Sequence, residues 1–349
     1  MSIKKKLIKT KKRLKSLKQR SLKQRNLKKR SFKYRPNNKI SKKIGSGIEP
    51  HADEEDIKNL FITNTTLNTD VVSVINKFVP PLLKNENIRQ VVKDYLSEDK
   101  NLKQQVIKKY GPINKWDVSR VTNMSHLFNG ARSFNDDISE WDVSNVRDMQ
   151  GMFSNCTNFD QPLNSWNVSK VENMGGMFYN TFKFDHPLNK WNVSKVKNME
   201  DMFHNAYNFD QPLNNWNVSK VENMSHMFEK AKLFNQPLNN WDVSKVTDMD
   251  FMFYDARSFN QLLNDWDVSN VIDMTGMFYG AKTFNQPLNS WNVSKVTDIG
   301  EMFYGAKTFN QPLNNWNLSN VIDMTRMFDG ALSFDIQKNA TWYIEHIEL

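Results

Sequence analysis

Cysteine is almost absent from this 349-residue chain. Cys156 stands alone, which excludes an intramolecular disulfide scaffold and any cysteine-based metal cluster. No apolar run reaches the ~18–20 residues needed to span a bilayer. The beginning of the chain is charged and has no apolar core segment, so a cleavable secretory signal is not expected and an intracellular location, nuclear or cytoplasmic, is. Glycine-rich phosphate loops are lacking. So is acidic charge over residues 1–48, which hold 20 Lys and Arg and no Asp or Glu. The remaining 301 residues therefore hold 28 basic and 38 acidic side chains. The formal net charge of +10 is the sum of a +20 arm and a −10 body. With ten Trp and 23 Phe, that body has ample material for a core.

The arm contains a pentapeptide repeat, from Ser16-Leu-Lys-Gln-Arg20 to Ser31-Phe-Lys-Tyr-Arg35. A period of five fits neither a helix nor a strand, so Leu17, Leu22 and Leu27 form no common stripe. Residues 1–48 are expected to be a disordered basic tail and linker. Such a block attracts polyanions by releasing their counterions, without reading base sequence. Its candidate contact residues are Lys4, Lys5, Lys6, Lys11, Lys12, Arg13, Lys18, Arg20, Lys23, Arg25, Lys28, Lys29 and Arg30. Nucleic acid, an import receptor and an anionic membrane face all remain open as its partner.

A helical segment comes next, over residues 49–112. Val71, Val74, Ile75 and Phe78 form a first stripe at helical spacing, ended by Pro80 and Pro81. Ile88, Val91, Val92, Tyr95 and Leu96 form a second. Leu102, Val106, Ile107 and Tyr110 form a third, ended by Gly111-Pro112. Three short helices bury little among themselves, and they are expected to cover the open end of a larger body.

Beyond residue 112 the chain has a period of 25. Trp116, Trp141, Trp166, Trp191, Trp216, Trp241, Trp266, Trp291 and Trp316 are evenly spaced, with no insertion. Two Phe columns, Phe128 to Phe328 and Phe134 to Phe334, keep the same spacing. Fixed periods of this size mark stacked repeats, each too small to bury its own apolar face. With Trp as position 0, the apolar positions are 0, 2, 5, 8, 11, 12, 15, 18 and 22. The stretch around position 5 reads as a brief strand and the stretch from position 8 to 15 as one or two helical turns. The expected fold is therefore a repeat solenoid, α/β with short parallel strands and short helices. Nine units occupy residues 113–340, with a helical N-terminal cap before them and a C-terminal cap at 341–349. The nine Trp are its core ladder.

The unit Trp266-Asp-Val-Ser-Asn-Val-Ile-Asp-Met-Thr-Gly-Met-Phe-Tyr-Gly-Ala-Lys-Thr-Phe-Asn-Gln-Pro-Leu-Asn289 resembles the repeats of BspA-type surface proteins and mycoplasma-type lipoproteins, which belong with the leucine-rich-repeat solenoids. The lead-in Tyr110-Gly-Pro-Ile-Asn-Lys-Trp116 resembles that family's entry to its first repeat. The resemblance implies a non-catalytic interaction surface, often for adhesion. The chain departs from secreted members in lacking a signal and a lipid-bearing Cys near its start. Similar arrays occur in giant viruses, and the Lys/Asn/Ile-rich composition suits such a source, which would place the protein in a virion.

No residue pattern points to catalysis, a cofactor or a small-molecule substrate. Cys156 occupies position 15, where the other units have Ala or Thr, and reads as a buried small residue. Of the six His, only His126 and His226 share a register, four repeats apart, so no metal site is expected. The Asn/Asp column at position 7, Asn123 to Asp323, reads as caps for the short helices, with a row of calcium ions as the sharper alternative. The Asn-Val-Ser triplets at Asn167, Asn192, Asn217 and Asn292 match glycosylation sequons, yet Asp fills that slot in other units. Specificity should lie at the variable positions 6, 9, 10, 13 and 14. The expected function is a protein-protein interaction or adhesion scaffold tethered by its basic arm. The alternative is a DNA- or RNA-binding protein in which the arm does the work.

Overall fold

The structure, a computed structural model, describes residues 81–347. The basic arm and the stripe at residues 71–78 lie outside the described residues.

Helix α1, Ile88–Tyr95, buries Ile88, Val91, Val92 and Tyr95, the stripe expected from the sequence. Helix α2, Lys100–Tyr110, starts at Asp99, whose carboxylate accepts the N–H groups of Asn101 and Leu102. It ends at Gly111, whose φ of +80° suits glycine, with Lys108 and Lys109 facing its negative end. Both helices pack on the first Trp. Tyr95 meets Trp116 edge-on at 5.4 Å, and Tyr110 lies 6.2 Å from it. Asn85 Oδ1 accepts the N–H groups of Thr122 and Asn123, and the Arg89 guanidinium donates to Asn123 Oδ1 at 2.8 Å and to the Ser125 carbonyl.

From Trp116 onward, each 25-residue unit lies against the next. Parallel bridges join Asn123 to Asp148, Asp148 to Asn173, and so on to Asp298 and Asp323. The unit beginning at Trp191 shows the pattern. The N–H groups of Met199, Asp201, Phe203 and Asn205 donate to the carbonyls of Asn223, Ser225, Met227 and Glu229 in the following unit. The intervening N–H groups of Met202, His204 and Ala206 bond three residues back within their own unit. Alternate amides thus serve the neighbour and the local turn.

This arrangement corrects the expected helical turns and brief strands. Among the described residues, the units contain turns joined by isolated bridges. Two positions in every unit, 10 and 14, have positive φ: Asp201 at +56° and Asn205 at +56°, for example, or Gly276 at +56° and Gly280 at +63°. A right-handed helix needs φ near −63°, so neither position can belong to one. The amphipathic spacing was real, but the amides that a helix would use internally are given to the next unit.

The Asn/Asp column at position 7 consequently has no helix to cap. Its side-chain oxygen instead accepts the N–H two residues on, as from Asn198 to Glu200 at 2.9 Å and from Asp323 to Thr325 at 2.7 Å. The position-1 residues do the same, Asp117 to Ser119 and Asn192 to Ser194 among them. These are Asx turns, which need a short polar side chain and accept Asn and Asp alike.

The core is a set of aromatic columns. The nine Trp are 2–5% exposed. From Trp141 to Trp316, each Nε1–H donates at 2.8–3.2 Å to the carbonyl 28 residues earlier. Each unit also stacks its two Phe, as Phe203 on Phe209 at 4.1 Å, and passes the stack on, as Phe203 to Phe228 at 5.7 Å. Cys156 is buried, and its Sγ lies 2.9 Å from the Phe128 carbonyl. Thr181 makes the equivalent bond to Phe153 from the same register. Burial pushes the Cys156 thiol up to about 12.

At the far end, α3 (Ile336–Asn339) and α4 (Thr341–Ile347) replace the repeat pattern. Trp342 comes one residue late for the column, yet its Nε1–H donates to the Leu313 carbonyl at 3.0 Å, as a tenth Trp in register would. The short α3 takes up the extra residue. Asn339, buried at 2% exposure, supplies the carbonyl for Leu313 N–H and donates its own amide to Asn310.

Candidate functional site

The turn face carrying positions 10, 13 and 14 is where the units differ most. Position 13 brings Tyr179, His204, Glu229, Tyr254, Tyr279 and Tyr304 into one column. Tyr254, Tyr279 and Tyr304 stack at 4.5 Å, with Lys230 over Tyr254 and Arg326 over Tyr304. Beside it, Phe182 stacks on Tyr207 at 4.9 Å, and Lys232 lies 4.0 Å from the Tyr207 ring. These aromatics are half-buried, unlike the Trp and Phe columns.

Position 10 has positive φ in every unit, and glycine fills it at Gly151, Gly176 and Gly276. Six units nonetheless place a side chain there: His126, Asp201, His226, Phe251, Glu301 and Arg326. A bulky residue in this conformation is strained by about 1–3 kcal/mol, and such strain collects at functional sites. At two junctions the side chain at position 10 meets position 13 of the preceding unit. Arg326 reaches Tyr304 along this diagonal, and His226 reaches His204, ring centroids 6.2 Å apart.

That contact brings together two His that the register comparison kept apart. Comparing His only within one register missed neighbours 22 residues apart. Asp201, His204 and His226 each offer a ligand atom, all within 4.8 Å of one another. His204 Nδ1 lies 2.8 Å from Asp201 Oδ1 and 3.5 Å from Glu229 Oε2. His226 Nδ1 lies 2.6 Å from the same Glu229 oxygen, and its Nε2 is 3.3 Å from Asp250 Oδ2. Lys230 closes the group through Glu229 Oε1 at 2.7 Å. His204 and Glu229 are the most enclosed, at 11% and 10% side-chain exposure.

The charges act on one another. Hydrogen bonds to Asp250 and Glu229 raise His226 to about 10 against the opposing effect of burial. Burial works against the Glu229 carboxylate, but bonds from His226 and Lys230 and the nearby His204 hold it below its ordinary range. Asp250 is likewise lowered, burial being outweighed by its bond to His226. Asp248, one step along the position-7 column, is pushed up to about 6, chiefly by burial, with the charges of Asp250 and Asp273 adding to it.

A second chain of polar groups ends at this site. Asn155, Asn180 and Asn205 share position 14; the amides of Asn180 and Asn205 donate to the Asn one unit before them in that column, and Asn155, which follows Gly130, donates to Asn129 instead. Asn205 Oδ1 is buried without a partner. Lys230 stands next in that column, but its ammonium is given to Glu229.

Comparison with protein families matches the family described as "Mycoplasma protein of unknown function, DUF285" at residues 97–211, 186–275 and 239–342. The three overlapping matches run without a gap from 97 to 342. The chain belongs to this family. The DUF285 matches begin just before α2 and end on Trp342, so they take in every Trp of the core column. No curated protein matches the chain, and no solved structure matches it. Membership in DUF285 is consistent with the mycoplasma-type repeats that the Trp-to-Leu pattern resembles, and its description assigns no activity. Among the described residues no helix is long and apolar enough to cross a membrane.

Proposed function

We propose that this DUF285 protein is a non-enzymatic solenoid, leucine-rich-repeat-like, that presents its turn face to a protein partner, with residues 1–48 as a basic tether. The observation that supports this reading is the aromatic ladder Tyr254–Tyr279–Tyr304 with Arg326 and Lys230 on its ends. Tyr and Arg on rigid backbone are the side chains that dominate protein interfaces, because they bring large contact area at small entropic loss. Affinity capture with the full chain tests it. The triple substitution Tyr254→Ser, Tyr279→Ser, Tyr304→Ser should release proteins that the native chain retains. Capture of the same set by both chains would refute the surface assignment.

The 20 Lys and Arg of the first 48 residues favour a second reading, in which the arm binds DNA or RNA and the stack is a spacer. Removing residues 1–48 and measuring binding to DNA, RNA and heparin across a salt series separates the two. Retained binding by the truncated chain would exclude the arm as its source.

A further inference from the structure

We propose that Asp201, His204, His226 and Glu229 form a binding site for one divalent transition-metal ion of the zinc type. Two imidazoles and carboxylate oxygens are the donor set such ions take in proteins, with ligand bonds of about 2.0–2.2 Å. Tetrahedral ligands at that radius stand roughly 3.3 Å apart. The atoms already present fall around that value: His204 Nδ1 to Glu229 Oε2 is 3.5 Å, His204 Nδ1 to Asp201 Oδ1 is 2.8 Å, and no pair among Asp201, His204 and His226 exceeds 4.8 Å. Small side-chain rotations bring them onto one centre.

Further observations converge. His226 turns Nδ1 toward Glu229 and Nε2 toward Asp250. That is the carboxylate–histidine–metal arrangement, in which the outer carboxylate fixes the tautomer and leaves the inner nitrogen free for the ion. Charge also matches. Once an ion displaces the His226 proton, Asp201, Glu229 and Asp250 against Lys230 give a net of −2, which one divalent cation balances. Finally, an ion on Glu229 displaces Lys230 from it. Lys230 then stands one unit beyond Asn205, in the column where each following residue donates to the Asn before it, and can satisfy the unpartnered Asn205 Oδ1. The strained positive φ at Asp201 and His226, where glycine serves in three other units, is retained at two of the four ligands. In no other pair of adjacent units do positions 13 and 10 supply two imidazoles.

The site deepens the proposed function without depending on it: an ion would lock two adjacent units together on the face that carries the Tyr ladder. The test is titration of the full-length, chelator-treated chain with Co2+, read by its visible d–d absorption, followed by competition with Zn2+. We expect saturable binding of one Co2+ per chain, displaced by Zn2+. His204→Gln and His226→Gln should each weaken it at least tenfold. Asp250→Asn, which removes only the outer carboxylate, should weaken it by about 10- to 100-fold. His126→Gln, at the same strained position but with glycine as its next neighbour in the column, should leave it unchanged. Far-ultraviolet circular dichroism establishes that each variant is folded. Where one is not, X-ray absorption of the native chain's Co2+ must show two imidazole ligands. Failure to saturate, or equal affinity in the native and His204→Gln chains, overturns the site.

Discussion

Replacing Gly276 with alanine separates two kinds of strain that this backbone imposes. Gly151, Gly176 and Gly276 occupy position 10 with φ of +55°, +58° and +56°, so an alanine at any of them meets the same left-handed conformation. That conformation destabilises an L-residue by about 1–2 kcal/mol. Space distinguishes them. A methyl at Gly176 has its nearest neighbour at 3.8 Å, whereas one at Gly276 overlaps the Phe251 ring, with Cδ1 at 2.5 Å. Phe251 must leave its stack on His226, 5.1 Å away, which adds about 0.5–1.5 kcal/mol. Gly176→Ala should therefore lower unfolding free energy by about 1–2 kcal/mol and Gly276→Ala by about 1.5–3.5 kcal/mol. Urea unfolding followed by tryptophan fluorescence reports both. In a Phe251→Ala background, Gly276→Ala should cost no more than Gly176→Ala. Equal losses at the two glycines in the native background, or a difference that survives removal of Phe251, would refute the reasoning.

Trp216→Phe keeps the stacked ring but removes the Nε1–H bond to the Leu188 carbonyl at 3.1 Å, leaving that oxygen only the Trp191 N–H at 3.0 Å; we expect a loss of about 0.5–1.5 kcal/mol by calorimetry, and unchanged stability would show that the bond is dispensable. Trp342→Ala removes the half-buried ring that completes the column over Phe328, and should lower stability by about 2 kcal/mol and promote aggregation, both absent if the terminal helices are mere appendages. His226, raised from its ordinary 6.5 to about 10, stabilises the fold fully below 6.5 and loses that contribution as pH rises through about 10. In chelator, the melting temperature of the native chain should therefore fall relative to His226→Asn between pH 7 and 10; parallel curves would show that the cluster does not hold the proton.

The periodic columns were legible because burial repeats with the chain: an apolar side chain every 25 residues has to meet its own copies. What misled was local spacing. Met, Leu, Phe and Ala at i, i+3, i+4 and i+7 match a helix, and only the glycine, Asn and Asp at positions 10 and 14 signalled otherwise. Gly130, Asn155, Asn180, Asn205, Asp255, Gly280, Gly305 and Gly330 make that signal plain at position 14, where Lys230 is the sole exception. The His cluster was hidden for a different reason. Its members stand on a diagonal, position 13 of one unit and 10 of the next, and a column-by-column reading tests only vertical neighbours. The late Trp342 was visible as an irregularity, but its return to register depends on how much chain α3 consumes, which spacing alone does not fix.

The alternation of amides between the local turn and the following unit has an evolutionary consequence. Because every unit offers its neighbour the same donors and acceptors, a tandem duplication of 25 codons inserts a rung that fits both neighbours at once. A duplication of 24 or 26 would carry the two positive-φ positions into residues that oppose them, and shift every donor onto the wrong carbonyl. Selection would remove such products while sparing whole-unit gains and losses. Array length in lineages that carry this block should thus vary in whole units, and the single irregular residue before Trp342 sits where no further unit has to match it.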